Sequence, residues 1–175
     1  LKEHGIKAKL HTIKAGQSVK IGEFKVETIR TTHSIADSIC LAIDTPAGVV
    51  FHTGDFKIDY TPIEGEPINF QRLAALGQKG VLLMMADSTN AERPGYTMGE
   101  RTVGETFNNL FAKADGRIII AQFASNVHRI QQVIRTAEKY NRKVAVAGRS
   151  MVNNVQVSSE LGYIDIPPGI MVDIE

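Results

Sequence analysis

Two predicted strand ends carry side chains that could bind a metal ion. The segment Thr32–Ser34 places His33 after one β-rich run, and the segment Phe51–Asp55 ends a later run with a glycine and a carboxylate. An imidazole and a carboxylate held at the ends of rigid strands are nitrogen and oxygen donors of the kind that zinc takes in proteins. A capping histidine and a turn aspartate would give the same pattern, because glycine and aspartate are common in turns.

Two later segments repeat the arrangement of an apolar strand followed by a polar cluster. They are Ala86–Asn90, with the sequence Ala-Asp-Ser-Thr-Asn, and Phe123–Arg129, with the sequence Phe-Ala-Ser-Asn-Val-His-Arg. Asp87 ends the first strand, where a carboxylate could orient a ligand or donate a proton to a leaving oxygen. The competing interpretation of Asp87 is an Asx-turn or a helix cap.

Helix starts supply the second kind of candidate site. Ser125 and Asn126 precede a predicted helix, whose first-turn N–H groups form a site for an anion. His128 could donate a hydrogen bond to a phosphate oxygen there, and Arg129 could add positive charge. The segment Gly-Arg-Ser at 148–150 opens the next helix in the same way, although a serine such as Ser150 at a helix start is often only a cap.

The elements that position these residues are strands in the first half of the chain. Short β-rich runs separated by glycine or proline predict strands at 9–13, 18–21, 24–31, 38–44 and 49–53. A short helix at 68–76 and a buried strand at 80–86 follow. Alternating apolar and polar residues at 24–29 are typical of a half-exposed antiparallel strand.

The pattern changes after residue 95. It predicts helices at 99–114, 126–140 and 150–161, and strands at 117–121 and 143–147. Strands and helices that alternate at this spacing indicate βαβ units and a parallel sheet, where ligands tend to bind at the carboxyl ends of the strands. We therefore predict a boundary near residues 88–96, with one domain over 1–90 and a second over 91–175.

Composition limits the classes of partner. The chain is 43% hydrophobic and 22% charged, as expected of a globular protein with a proper core. Twenty basic and nineteen acidic residues give a net charge of +1, so RNA binding would depend on local patches. The single cysteine, Cys40, lies between apolar residues, so we interpret it as a small buried hydrophobe in a reducing compartment. With no apolar run near the ~20 residues of a membrane span and no signal-peptide core at residues 1–4, we expect a cytoplasmic protein without membrane contact.

The four polar segments, in this order, resemble those of ribonuclease J, a family in the β-CASP branch of the metallo-β-lactamase superfamily. The resemblance extends over nearly the whole chain, and the segments Asp-Ser-Thr-Asn and Ala-Ser-Asn-Val-His-Arg are its most specific parts. The family's His-x-His-x-Asp-His motif and its late histidine motif are absent, so we expect the central part of a longer enzyme. The implied fold is α/β: part of an αββα metallo-β-lactamase sandwich followed by part of a β-CASP domain with parallel strands.

The resemblance also implies an activity. It is that of a ribonuclease with two zinc ions, which cleaves single-stranded RNA as a 5′-to-3′ exonuclease and an endonuclease in mRNA decay and rRNA maturation. It makes His33 and Asp55 metal ligands, with Asp55 bridging both ions, and Asp87 and His128 catalytic groups. The residues expected to bind RNA phosphates are Ser125, Asn126, His128, Arg149 and Ser150. The complete protein is expected to form homo-oligomers.

Two other functions stay open on the sequence. The chain could be a catalytically silent structural or RNA-contacting module, because a half-filled metal site is all that His33 and Asp55 supply. It could also be a different hydrolase on the same sandwich, such as a glyoxalase or lactonase, although the two specific motifs argue against this. Whether the chain is the central part of a nuclease or a silent module, we expect no nuclease activity from the chain alone.

Overall fold

Strands fill the first half of the chain and helices the second. The structure is a computed structural model that describes residues 5–174. The strands are β1 (Ser18–Ile21), β2 (Phe24–Arg30), β3 (Ile39–Thr45), β4 (Gly48–His52) and β5 (Leu83–Met85). The helices are α1 (Phe70–Lys79), α2 (Arg101–Lys113), α3 (Val127–Lys139) and α4 (Arg149–Glu160). Residues 1–4, where we predict no signal peptide, and residue 175 lie outside the described part.

The sheet has five strands in the order β1-β2-β3-β4-β5. The first four strands pair antiparallel, and β5 pairs parallel with β4. It follows that β2, β4 and β5 all run in one direction, so their carboxyl ends lie at the same edge of the sheet. Gly54, just after β4, has a φ of +59°, and a Cβ there would lie 2.7 Å from the carbonyl oxygen of Ile39. The turn that leads from β4 to Asp55 therefore requires glycine.

Side chains that alternate along the strands build the core of this half. Its buried members come from the central strands and from one face of α1: Ile29, Cys40, Ala42, Val49, Phe51 and Leu76. Cys40 is 3% exposed, which confirms its interpretation as a small buried hydrophobe.

The chain divides into two compact units, each built from separated stretches. The first contains the residues up to Arg30 together with Ile39–Gly54 and Asn69–Ala86, and so holds the sheet and α1. The second contains Thr31–Ser38, Asp55–Ile68 and the residues from Asp87 onward. All eight candidate site residues belong to the second unit, because the loops after β2 and β4 join it. The domain boundary near residues 88–96 stays a prediction.

Helices α2, α3 and α4 form the core of the second unit. The buried members are Phe107, Phe111, Val127, Ile130, Ile134, Ala137, Val155, Ile164 and Ile170. Gln131 is 2% exposed, and its side-chain amide exchanges two hydrogen bonds with the backbone of Asp165. A Cβ on Gly104 of α2 would collide with the amide oxygen of Gln132 on α3, so glycine lets these two helices approach closely.

The predicted helices are confirmed to within two residues at most ends, and four strands of the first half are confirmed. The prediction of a strand at 9–13 is wrong: these residues are exposed, so no apolar contact holds them in a sheet. None of the helices in residues 5–174 is long and apolar enough to cross a membrane.

The predicted strands at 117–121 and 143–147 are also not formed as strands. Alternate side chains do face inward, with Ile118 and Val144 packed against the helical core. A strand also needs a hydrogen-bonded neighbour, and within residues 87–174 the single bridge is a parallel one between Val144 and Met171. An apolar groove of about 990 Å³ opens beside these segments, and none of the eight candidate site residues lines it. These two segments therefore bury alternate side chains as strands do, but they do not pair as strands.

One ion pair between sheet and helix should contribute measurably to stability. Arg72 of α1 binds Glu27 of β2 through two hydrogen bonds of 2.6 and 2.7 Å, and the guanidinium holds the pKa of Glu27 below its usual value. Glu27→Gln should lower the free energy of unfolding at pH 7 by about 1 kcal/mol, as for a well-oriented bidentate pair. A carboxyl group whose pKa is lowered by folding stabilises above its unfolded-state pKa. The difference between wild type and variant should therefore vanish as the pH falls below ~4.

Urea unfolding at pH 7 and pH 3 measures this difference. The matched control is Asp44→Asn, because Asp44 pairs with Lys79 through side chains that are 37% and 54% exposed. The free energy of unfolding of that variant should stay within about 0.5 kcal/mol of the wild-type value. Equal losses of unfolding free energy in the two variants would show that the pair of Glu27 and Arg72 stabilises the protein no more than an exposed pair does.

Candidate active site

Three candidate groups follow strands that run in the same direction. His33 follows β2, Asp55 follows β4 and Asp87 follows β5. The carboxylate of Asp87 accepts hydrogen bonds from the Thr89 N–H, at 2.9 Å, from the Thr89 hydroxyl and from the Phe56 N–H. These bonds and the nearby His33 ring hold the pKa of Asp87 below its usual value. The structure thus brings Asp87 to His33 and to the residue beside Asp55.

Asp87 is consequently ionised at neutral pH. A carboxylate accepts hydrogen bonds and protons and cannot donate one. Of the two roles predicted for Asp87, this charge state favours orienting a ligand over protonating a leaving oxygen.

The loop that carries His33 is bonded to the segment that carries Asp55. Thr32 is 8% exposed, and its hydroxyl donates to the carbonyl oxygen of Lys57. The carbonyl oxygen of Thr32 accepts from the Lys57 N–H at 2.7 Å, and its hydroxyl accepts from the Asp59 N–H at 3.4 Å. These three bonds fix the backbone just before His33 and shortly after Asp55.

Asp59 holds the beginning of α2. Its carboxylate is buried in a residue that is 7% exposed, and it accepts from the backbone N–H groups of Thr61, at 2.9 Å, and Glu100, at 3.0 Å. Burial raises the pKa of Asp59, but the two N–H groups outweigh it and hold the pKa below its usual value. Glu100 precedes α2 and gives it no side-chain cap, so Asp59 takes the place of the cap.

The side chain of Glu100 binds Arg129. Two hydrogen bonds of 2.7 and 3.0 Å join the carboxylate to the guanidinium, and the Lys57 ammonium lies 3.8 Å from the same carboxylate. The Glu100 side chain is 12% exposed. The guanidinium of Arg129 is thus compensated by the Glu100 carboxylate, and the charge that we predicted Arg129 to add to a phosphate site stays a prediction.

Helix α3 begins at the predicted anion site. Asn126 is 5% exposed, and its side-chain oxygen accepts from the Arg129 N–H at 3.1 Å, which confirms Asn126 as the cap. His128 is the second residue of the helix and is half-buried. Ser125 lies just before the cap and is exposed.

Helix α4 begins differently. Its cap is Gly148, with a φ of +91° and no side-chain hydrogen bond. Arg149 and Ser150 are the first two residues of the helix, and both are exposed. The interpretation of Ser150 as a cap is therefore wrong, since the helix starts one residue earlier than predicted.

A second contact fixes the loop that carries His33. The hydroxyl of Tyr163, which follows α4, donates to the carboxylate of Asp37, and this bond raises the pKa of Tyr163. Asp37 has a φ of +54°, a conformation that aspartate tolerates better than most residues. The loop is thus bonded at Thr32 and again at Asp37 to other parts of the second unit.

The donor atoms at the strand ends suit zinc, but they do not complete a site. Imidazole nitrogen and carboxylate oxygen are both ordinary zinc ligands, and a catalytic zinc usually takes three from the protein. Across residues 5–174, no three histidine, cysteine, aspartate or glutamate residues lie close enough together to hold a metal ion. The described residues alone therefore do not fit a zinc centre, and zinc stays a prediction.

The sequence did not identify the residues that connect the candidates. Thr32, Asp59 and Glu100 make the connecting bonds, and none of them carries a recognisable metal or phosphate motif. Gly99 offered one signal: a Cβ there would lie 3.0 Å from a carboxylate oxygen of Asp59. A glycine one residue before the cap position of α2 is thus the trace that this contact leaves in the sequence.

The chain matches a protein-family model and several proteins that carry the name ribonuclease J. Residues 115–175 match the family model of the ribonuclease J β-CASP domain. The chain is 48% identical over its whole length to ribonuclease J of Synechocystis sp. (strain PCC 6803), of which it covers 28%. It is 44% identical over 95% of its length to ribonuclease J of Thermus thermophilus, of which it covers 30%. Ribonuclease J 1 of Streptococcus pyogenes serotype M3 is 43% identical over 99% of the chain, which covers 31% of that protein.

A solved structure shares the fold. The crystal structure of a protein of unknown function from Enterococcus faecalis V583 superposes with a TM-score of 0.64 over 96% of this chain and 42% of that one. Its sequence identity of 17% supports the fold and nothing further.

The chain should bind zinc weakly. A catalytic zinc usually takes three protein ligands, and His33, Asp55 and Asp87 do not lie close enough together to supply three. Calorimetric titration of the chain with zinc should show no stoichiometric site of sub-micromolar affinity. His11→Ala serves as a control for adventitious binding to an exposed histidine. A tight site that His33→Ala abolishes and His11→Ala retains would contradict the expectation.

Proposed function

Because the chain belongs to the ribonuclease J family, we propose that it forms part of a metal-dependent ribonuclease acting on single-stranded RNA. The chain spans 24–31% of the length of the curated relatives it matches, so the activity is proposed for a complete enzyme. One observation carries the proposal. A single compact unit holds the His33, Asp55 and Asp87 loops together with the start of α3 and His128.

The strand-end loops would contribute to the metal centre. We propose zinc as the metal, with His33 and Asp55 as two of its ligands. The remaining ligands would come from other residues of the complete enzyme. Asp55 is exposed and can reach an ion, whereas the backbone two residues after it, at Lys57, is held by Thr32. Asp87, which is ionised, would orient a ligand beside His33.

The helix starts would bind the RNA backbone. At the start of α3, Asn126 is occupied as the cap, so His128 is the side chain left to donate a hydrogen bond to a phosphate oxygen. Exposed Arg149, with Ser125 and Ser150, would bind further phosphates. Phosphate contacts carry no base identity, and the proposed substrate is therefore single-stranded RNA of any sequence.

On the family resemblance, we also propose how the complete enzyme cleaves RNA and where it acts. It would be a 5′-to-3′ exonuclease and an endonuclease with roles in mRNA decay and rRNA maturation. It would be cytoplasmic and homo-oligomeric. The chain has a single cysteine, Cys40, which is buried, as suits a reducing compartment.

The second candidate function is a silent RNA-contacting module. The absence of a three-donor group within residues 5–174 favours it. A chimera in which this chain replaces the matched segment of the Synechocystis relative can separate the two functions. We call this chimera the graft. Metal-dependent cleavage of a labelled single-stranded RNA by the graft, but not by the chain alone, supports the enzyme. A folded graft that binds RNA without cleaving it supports the silent module.

In the graft, Asp55→Ala should reduce activity more than His128→Ala. Asp55 would help to hold a metal that activates water and stabilises charge, so its loss would weaken both contributions. Loss of one charge-assisted hydrogen bond to phosphate costs of order 1.5–3 kcal/mol, or ~10–100-fold in rate. Measurement of kcat/KM with the metal content checked tests the order, and the exposed His11→Ala is the control. A milder defect in Asp55→Ala than in His128→Ala would overturn the assignment of Asp55.

Arg149→Ala in the graft should weaken every single-stranded RNA to a similar degree. Removal of one phosphate contact should reduce the slope of log affinity against log salt by about 0.7. Lys113→Ala, an exposed cation at the end of α2, should leave that slope unchanged. Fluorescence anisotropy with two unrelated sequences over a salt series is the measurement. A defect restricted to one sequence, or an unchanged slope, would make Arg149 a structural residue.

A further inference from the structure

Glu100 contacts sequence neighbours of two candidate residues, His128 and Asp55. Its carboxylate binds Arg129, the neighbour of His128, and lies 3.8 Å from the ammonium of Lys57, two residues after Asp55. Its backbone N–H is held by Asp59. We propose that Glu100 is a positioning residue that fixes His128 relative to the loops of His33 and Asp55, a role that rests on the proposed ribonuclease function.

The bonds to Arg129 restrict the start of α3 from two sides. The Arg129 N–H is bonded to the cap, Asn126, and its guanidinium is bonded twice to Glu100. His128 lies between the cap and Arg129 in sequence, so its backbone is restrained on both sides. Charge-assisted bonds to a carboxylate that is 12% exposed are stronger than bonds at the surface.

On the other side, the contacts of Glu100 reach the metal loops through backbone bonds. Lys57 exchanges two hydrogen bonds with Thr32, the residue before His33. Asp59 accepts from the Glu100 N–H and donates its own N–H to the Thr32 hydroxyl. Every link from Arg129 to Thr32 is therefore a hydrogen bond or an ion pair within one compact unit.

The charges in this cluster rule out a direct phosphate-binding role for Glu100. Two carboxylates, of Asp59 and Glu100, balance the two cations, of Lys57 and Arg129. Loss of the Glu100 charge would free Arg129 to attract a phosphate in an unproductive place. The expected signature is slower turnover with RNA affinity unchanged or higher.

The primary test is Glu100→Gln in the graft. A misplaced catalytic group costs up to ~100-fold, so kcat should fall at least about 10-fold while the Kd for RNA does not rise. The matched control is Glu64→Gln, because Glu64 forms a more exposed ion pair, of 3.2 Å, with Arg135 on the same helix α3. Glu64→Gln should keep kcat within about 2-fold of the unsubstituted graft, in line with the small worth of exposed pairs.

A double-mutant cycle separates positioning from loss of folded protein. If Glu100 acts through His128, His128→Ala should lower kcat by less than about 3-fold in the Glu100→Gln background. In the unsubstituted graft, the same change should lower the rate ~10–100-fold. A variant that only lowers the folded fraction leaves the His128→Ala factor unchanged. An unchanged factor, or a kcat of Glu100→Gln within about 2-fold of the graft, overturns the proposal.

A measurement on the chain itself makes the test independent of activity. In NMR spectra of the 175-residue chain, Glu100→Gln should shift the ring resonances of His128 and the amide resonance of Lys57, and Glu64→Gln should shift neither. Unshifted His128 resonances overturn the positioning role even if the graft is active. A graft without activity rejects the proposed ribonuclease, and the NMR comparison still decides whether Glu100 positions His128.

Discussion

The buried carboxylate of Asp59 is the constraint on which the candidate site depends. A charge in a residue that is 7% exposed is tolerated only when hydrogen bonds replace its water, and here backbone N–H groups of Thr61 and Glu100 do so. The bond to Glu100 fixes where α2 begins. That helix start in turn places the Glu100 side chain against Arg129, so the position of α3 follows from the position of Asp59.

This arrangement divides the cations near the site into two kinds. Lys57 and Arg129 are compensated by Glu100, and their charge serves the structure. Arg149 is exposed at the start of a helix with no capping side chain. A charge-balanced cluster, together with an exposed cation such as Arg149, suits a chain whose net charge is only +1. Affinity for RNA must then come from particular side chains and helix starts rather than from an overall basic surface.

Local patterns in the sequence predicted the elements well where both packing and pairing are local. Alternation identified β2, a run of β-branched and aromatic residues identified β4, helical periodicity identified α3, and the strand ends marked His33, Asp55 and Asp87. Segments 117–121 and 143–147 show where this reasoning fails, since a β-rich run favours an extended backbone but does not specify whether a neighbouring strand is present to pair. The roles of Asp59 and Glu100 were also out of reach, because they depend on a contact between residues 41 positions apart in sequence.

Asp59, Glu100 and Thr32 hold the loops of His33 and Asp55 and the start of α3 as one cooperative body. Hydrogen exchange in the chain with Asp59→Asn tests this cooperation. We expect faster exchange at the Glu100 and Thr61 N–H groups, and also at the Lys57 N–H, which is bonded to Thr32 and not to Asp59. Amides in β3 should keep their protection. Faster exchange at Glu100 and Thr61 alone, with Lys57 as protected as before, would contradict the claim that these bonds form one connected support.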